Sequence, residues 1–364
     1  MHADITDLQS LFIADVPLMD VRAPIEFHKG AFPNAVNLPL MSDEERHRVG
    51  ICYKQQGPDK ALALGHRLVS GTIKADRLAA WIDFTRAHPQ GVLYCFRGGQ
   101  RSAIVQQWLL AEGVHYPRVA GGYKAMRSFL LETLDTAAAQ YRHTILGGLT
   151  GSGKTEVSTR LTHGVDLEGL ANHRGSSFGK RLTPQPAQVD FENALAIRLL
   201  RLRHAGISNI VLEDEGRFIG SCSLPLALHQ QVRSSPLVWL DEPLAARVTR
   251  ILDDYVIELH TALGKAMDQD QTWVALSDRL QRSLAGIARR LGMERYQRLS
   301  VIMQDALGHH QRHGDPSRHR DWITSLLVEY YDPMYASQRN AYEQRLVFRG
   351  TRTEVLEYLS TGYR

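Results

Sequence analysis

Short apolar runs alternate with longer stretches of helical period along the first 125 or so positions of this chain. Leu18-Met19-Asp20-Val21, Ala35-Val36-Asn37-Leu38 and Gly91-Val92-Leu93-Tyr94 read as strands, with helical patterns over Asp76 to Ala87 and Ser102 to Glu112 between them. Elements that alternate in this way predict a small α/β domain, placed at 1–135. The segment Phe129 to Tyr141 is helical in character and leads into a second apolar run, Thr144-Ile145-Leu146. Further strands are expected at Asn209-Ile210-Val211-Leu212 and Leu237-Val238-Trp239-Leu240, which makes 136–242 a second α/β domain. Beyond Pro243 the pattern turns helical. Leu276, Leu280, Leu284, Ile287 and Leu291 recur every three or four residues, while Arg279, Arg282, Arg289 and Arg290 fall on the other side. The segment 243–364 is therefore expected to be a mainly helical, basic extension.

Composition narrows the class without naming it. With 364 residues, 43% hydrophobic and 23% charged, the chain has the balance of a globular protein of two or three domains and not of a disordered or repetitive one. Three cysteines, Cys52, Cys95 and Cys222, exclude a disulfide framework and fit a reducing compartment. No apolar segment near the N-terminus or elsewhere is long enough for a signal or a membrane span, so a cytoplasmic protein with no membrane partner is expected. The net charge is +4, but residues 281 to 320 hold eight arginines against Glu294, Asp305 and Asp315. That excess suits a polyanion, with Arg282, Arg289 and Arg290 as candidate contacts to nucleic-acid phosphates.

Two loops carry candidate chemistry. Tyr94-Cys95-Phe96-Arg97-Gly98-Gly99-Gln100-Arg101-Ser102 lies between an apolar strand and an amphipathic helix. Gly98 and Gly99 let the backbone curl so that amide groups converge on one point, and Arg97 and Arg101 add positive charge. An anion cradle around a reactive Cys95 thiol follows. Cys52 and Cys222 have no such cradle, and no Cys-x-x-Cys pair marks a structural metal site. The second loop, Gly148-Leu149-Thr150-Gly151-Ser152-Gly153-Lys154-Thr155, follows the strand at Thr144 to Leu146 and opens a helical stretch. Its glycine, lysine and hydroxyl spacing is that of a phosphate loop: Gly148, Gly151, Ser152 and Gly153 shape the backbone nest, Lys154 neutralises phosphate oxygens and Thr155 is placed for Mg²⁺. The strand Ile210 to Leu212 ends in Glu213-Asp214-Glu215, where Glu213 and Asp214 are candidate substrate or metal contacts and Asp214 is a second candidate, after Thr155, for Mg²⁺. Between these elements His173, Arg174 and Ser176 lie in a polar, glycine-bearing loop and are candidate substrate contacts.

Residues 18 to 39 resemble the opening of a rhodanese domain, and Ala120-Gly121-Gly122-Tyr123 its closing turn. That resemblance makes Cys95 the nucleophile. Cys95 to Arg101 also has the Cys-x5-Arg spacing of phosphatases that share the fold, although Tyr94 replaces the histidine usual before their cysteine. Taken with the phosphate loop and the basic extension, the whole chain resembles the tRNA 2-selenouridine synthase family. The resemblance implies a tRNA whose wobble 2-thiouridine is S-geranylated from geranyl diphosphate and then converted to 2-selenouridine with selenium from selenophosphate, itself delivered free or by its synthase. It implies that the phosphate loop with Mg²⁺ holds the diphosphate leaving group. Cys95 then either accepts selenium as a perselenide or assists displacement of the geranylthio group. Two other functions fit the same motifs: an ATP-dependent sulfurtransferase or small-molecule kinase, and a rhodanese-fold phosphatase.

Overall fold

The computed structural model describes residues 4–336 and 342–361. The chain forms two compact units, one made of the residues up to Ala139 with Ala187–Gly206, the other of Gln140–Pro186 with the residues from Ile207 onward.

In the first unit, strands β1 (Leu18–Asp20), β2 (Ala35–Asn37) and β3 (Val92–Tyr94) form a parallel sheet in the order β2-β1-β3. Parallel bridges at Leu93–Arg118 and Ile5–Val119 extend it beyond β3. The middle strand is buried along its whole length, as a parallel strand covered on both faces must be. Burial of Asp20 is tolerated because Arg22 donates to both its oxygens, at 2.8 and 2.6 Å from Oδ2 and 3.0 Å from Oδ1, while Arg22 also reaches the Gly30 carbonyl and lies over the Tyr123 ring. Helices Asp43–Gln56, Pro58–Leu68, Gly71–Ala87 and Gln100–Ala111 enclose a core of Met19, Leu93, Trp81, Val105 and Leu109, and helix Gly122–Gln140 buries Met126, Leu130 and Leu134. The first of these starts on a capping box: Ser42 Oγ accepts from Glu45 N, and Glu45 Oε2 accepts from Ser42 N at 2.7 Å.

A departure from the expected boundaries involves helix Gln188–His204. By sequence it falls within 136–242, yet it packs in the first unit. Asp190 Oδ1 accepts from Ala31 N, Asn193 bonds both Arg127 and the Ala31 carbonyl, and Arg201 donates to the Phe12 carbonyl and Asp15.

The second unit is built on a parallel sheet of β4 (Arg142–Gly148), β5 (Gly164–Val165), β6 (Asn209–Glu213), β9 (Leu237–Leu240) and β10 (Leu346–Gly350), in the order β10-β9-β4-β6-β5; an antiparallel pair, β7 (Phe218–Ile219) and β8 (Cys222–Ser223), stands apart. The mainly helical 243–364 also supplies an unexpected strand, β10, which pairs in parallel with β9, and helix Arg352–Thr361 then buries Val355 and Leu359 against Leu146, Val211 and Val238. The rest of that segment is helical. Gln269–Ala285 is capped by Asp268, whose carboxylate accepts from Gln271 N, and it buries Leu276, Leu280 and Leu284. Helix Met293–His313 packs on it through Leu299 and Met303, and helix His319–Leu326 packs in turn on Met293–His313 and Leu244–Leu252, with Trp322 in the shared core. The carboxyl ends of β4 and β6 lie side by side, with Leu146 opposite Glu213, so the phosphate loop and the acidic strand end are brought together at one edge of the sheet.

Candidate functional site

The phosphate loop leaves β4 at Gly148 and enters the short helix Lys154–Arg160. A side chain at Gly148 would place Cβ 2.6 Å from Ser152 Oγ, and Gly151 and Gly153 have φ of 79° and 85°, where other residues are strained. Two carbonyls of the loop are tied outward: Arg247 Nε donates to Thr150 O at 2.9 Å and Arg250 Nη1 to Gly151 O at 2.6 Å. Arg247 is itself buried and held by a two-pronged ion pair with Asp332. Neither arginine was expected to have a role. The available signal was an arginine at 247 on the apolar side of helix Leu244–Leu252, among Val248, Ile251 and Leu252.

Lys154 is largely buried at the floor of a cleft of about 1330 Å³. Burial opposes its charge, but Tyr335 and the carboxylates of Glu215, Glu168 and Glu213 hold its pKa well above the usual value. Glu215 Oε1 lies 4.0 Å from Nζ. Thr155 Oγ1 donates to Glu168 Oε2 at 3.1 Å, and Glu168 N donates to Glu213 Oε2 at 3.2 Å. Burial, with Glu168 and Asp166 nearby, pushes the Glu213 carboxyl up to about 7, and burial likewise raises Glu168, Asp214 and Glu215. Glu213 Oε1 is inaccessible and unbonded. Asp214 lines the cleft and interacts with the Tyr342 hydroxyl, so the carboxylate beside Thr155 is that of Glu168, not the expected Asp214. Among the described residues no set of three or more His, Cys, Asp or Glu side chains is grouped as a metal site. The Thr155–Glu168 pair and the orphaned Glu213 oxygen still fit Mg²⁺, an ion that keeps several waters and takes few protein ligands beside phosphate.

The other candidates divide between two clefts. Arg174 lines the phosphate-loop cleft, held by Glu258 at 2.7 Å, by Asp254 and by the Asp254 carbonyl. Ser176 bonds Tyr255 at 3.0 Å. His173 instead lines a neighbouring cleft; it is buried, its Nδ1 accepts from Gly175 N at 3.1 Å, and burial with Lys180 and Arg279 lowers its pKa. The expected basic surface is less charged than its arginine count implies, since Arg282 pairs with Asp278, Arg295 and Arg298 with Glu329, and Arg318 with Asp305, and two of those acids lie outside the window counted. Arg279 points inward to the carbonyls of Lys180 and Arg181.

In the other unit, Cys95 follows β3 and is buried, its Sγ 3.3 Å from Ser102 Oγ, which donates to Gly99 O at 3.0 Å. The segment Gly121–Gly122 closes on this loop. A Cβ on Gly122 would stand 2.2 Å from Cys95 O, one on Gly98 (φ 64°) 2.7 Å from Gly121 N, and Tyr123 N donates to Cys95 O. Arg97 is exposed. Arg101 departs from the expected anion-facing role: it forms a bidentate pair with Glu26, which Arg46 also contacts, and although burial opposes its charge these arginines hold the Glu26 carboxyl below its usual range. Its charge is thereby committed to fixing the loop. Cys52 and Cys222 are buried free thiols.

A parallel sheet ending in a glycine-shaped loop, with a buried lysine over a hydroxyl and carboxylates, defines a phosphate-binding α/β protein of the P-loop type. Residues 141–364 match the family model described as the tRNA 2-selenouridine synthase AAA domain. The proteins called tRNA 2-selenouridine synthase of Azotobacter vinelandii, Pseudomonas aeruginosa and Bordetella bronchiseptica are 59%, 58% and 58% identical to this chain, covering 99%, 96% and 99% of it and 97%, 95% and 98% of their own lengths. The chain belongs to the tRNA 2-selenouridine synthase family, a family of enzymes. Among the described residues no helix is long and apolar enough to cross a membrane.

Proposed function

We propose that this enzyme converts wobble 2-thiouridine of tRNA to 2-selenouridine through an S-geranylated intermediate, with geranyl diphosphate and selenophosphate as donors. The observation that carries the phosphoryl half is the phosphate loop itself: two carbonyls pulled back by Arg247 and Arg250, and Lys154 held charged among carboxylates. Such a site is built to receive a polyanion, and it serves a diphosphate leaving group as well as a nucleotide. As the tRNA sulfur attacks the allylic carbon and the carbon–oxygen bond breaks, Lys154 and the loop amides take up the charge that develops on the diphosphate. Thr155 and Glu168, with Glu213 behind them, would hold Mg²⁺, which when bound screens the diphosphate charge.

The first unit, in this reading, is a rhodanese-like domain, supported by its parallel sheet, the cysteine at the carboxyl end of β3 and the Gly121–Gly122 turn against the loop. Selenium in selenophosphate and selenium in a perselenide differ by two electrons, so a redox-neutral course favours displacement. The Cys95 thiolate attacks C2 of the modified base and expels geranylthiolate, which takes a proton from water; the selenium of selenophosphate then attacks the same carbon and expels the Cys95 thiolate, and hydrolysis of the phosphorus–selenium bond transfers the phosphoryl group to water. Ser102, once its hydroxyl turns from the Gly99 carbonyl to the sulfur 3.3 Å away, and the Gly98–Gly99 backbone steady the thiolate.

The test is nucleoside analysis of 2-thiouridine tRNA incubated with both donors. Lys154→Ala is expected to block geranylation and everything after it, whereas Cys95→Ser is expected to abolish selenouridine and let geranylated tRNA accumulate. Normal selenouridine formation by Cys95→Ser removes the cysteine from the chemistry, and a tRNA-stimulated ATPase of ordinary rate transfers the phosphate loop to phosphoryl chemistry.

A further inference from the structure

The phosphate-loop cleft is continuous with a second one. A cleft of about 960 Å³ adjoins it, and Gly175, Ser176, Arg290, Tyr331 and Met334 line both, so the two form one channel. The walls of the second cleft are cationic. Lys180, Arg279, Arg282, Arg289 and Arg290 face Asp278, which Arg282 neutralises while Arg279 is engaged by backbone carbonyls. Arg289 and Arg290 ride on the four-residue helix Ala288–Leu291, between Gly286 and Gly292 (φ 90°), where the chain turns from one long helix to the next. Both are exposed, and neither has an ion-pair partner among the described residues. Two arginines held side by side on a turn without counter-charge are placed for an external anion.

The junction of the clefts has its own irregularity. Leu327–Tyr331 and Asp253–Ile257 both wind as π-helix, an arrangement that is rare and is frequently found at functional sites. These turns bring Tyr331 and Tyr255 to the junction beside Ser176. The Tyr331 hydroxyl is buried and makes no hydrogen bond of normal geometry, an unusual condition for a buried phenol. Phosphate-binding cations along the outer cleft and an unsatisfied phenol at the entrance to the inner one match a polymer with an anionic backbone and flat polar side groups.

We propose that the second cleft carries a single-stranded RNA segment past Arg289 and Arg290 and delivers one base, at Tyr331 and Ser176, into the phosphate-loop cleft. This rests on the function proposed above and adds the route by which the substrate reaches the loop. The backbone contacts supply affinity without sequence choice, and Tyr331 and Ser176, which line both clefts, meet the base.

The experiment uses the full chain and a fluorescein-labelled single-stranded 12-nucleotide RNA bearing one 2-thiouridine, with anisotropy read across a salt series. Arg289→Ala with Arg290→Ala is expected to weaken binding about tenfold or more near 0.1 M salt. It should also flatten the slope of log K against log salt by about 1.4, roughly 0.7 for each lost phosphate contact on a single strand. The paired Arg→Lys variant should restore most of the slope, and unchanged melting of both variants shows that the fold is kept. Irradiation of the thiouridine is expected to cross-link the base near Tyr331. RNA binding by the parent protein with affinity and slope unchanged in the alanine pair overturns the route and leaves the proposed function standing. A parent protein that binds whole tRNA but not the 12-mer also overturns the route, and one that binds neither overturns that function as well. Displacement of the RNA by polyglutamate as effectively as by unlabelled RNA would assign the cleft to an acidic polypeptide, and equal binding of the DNA counterpart would remove the assignment to RNA.

Discussion

The buried carboxyl of Glu213 offers a direct test of the electrostatics around the phosphate loop. Its proton affinity rises from an ordinary 4.5 to about 7 in the folded chain, because burial and the neighbouring Glu168 and Asp166 disfavour the charged form. A carboxyl raised in this way favours the fold while it is protonated. The contribution is complete below pH 4.5 and is lost as pH climbs through about 7. At about 1.4 kcal/mol for each tenfold change in proton affinity, the ionised carboxylate costs about 3 kcal/mol above pH 8. Glu213→Gln keeps an oxygen for the Glu168 amide and cannot ionise. Without divalent cation or diphosphate, the variant should melt within a degree or two of the parent at pH 5 and about 5–10 °C above it at pH 8.5. Glu168, Asp214 and Glu215 are raised too, so both proteins lose stability with pH, and the quantity that decides is the difference between the curves. Melting curves that stay parallel from pH 5 to 8.5 would refute the assignment of that charge penalty to Glu213.

Two further substitutions probe one unit each. Asp20→Ala strands the fully buried Arg22, and such a loss typically costs about 3–5 kcal/mol, so denaturant unfolding of the N-terminal unit should move to markedly lower concentrations; a shift below about 1 kcal/mol would show that Arg22 finds other partners. Gly153→Ala adds a Cβ 2.9 Å from both Arg250 Cζ and Arg352 Nη2 at a φ of 85°, so pyrophosphate affinity, read by calorimetry, should fall at least tenfold, and unaltered affinity would mean that the loop reshapes without loss.

The parts of the site visible in the chain are those whose chemistry is contiguous. Gly148 to Thr155 carries its glycines, lysine and hydroxyl within one turn, and local geometry suffices to make the nest. The Gly121–Gly122 turn was marked by resemblance, but its pairing with Gly98, backbone packed too closely for any Cβ, appears only when the segments meet. Leu276, Leu280 and Leu284 announced a buried helix face because their period is set by the helix itself. By contrast β10 was hidden: Leu346 and Val347 are exposed, Arg349 pairs with Asp241, and an edge strand of mixed polarity has no period that separates it from coil. Helix Gln188–His204 is buried over most of its circumference, so its apolar pattern does not tell which sheet it covers, and its unit was decided by Asp190, Asn193 and Arg201 finding partners more than a hundred residues away. Glu168 beside Thr155, and Arg247 and Arg250 behind the loop carbonyls, belong to the same class. Hydrogen bonds and charges act over a few ångströms of space, so local sequence establishes the loop that binds phosphate, while tertiary packing selects which distant carboxylates and arginines set its charge.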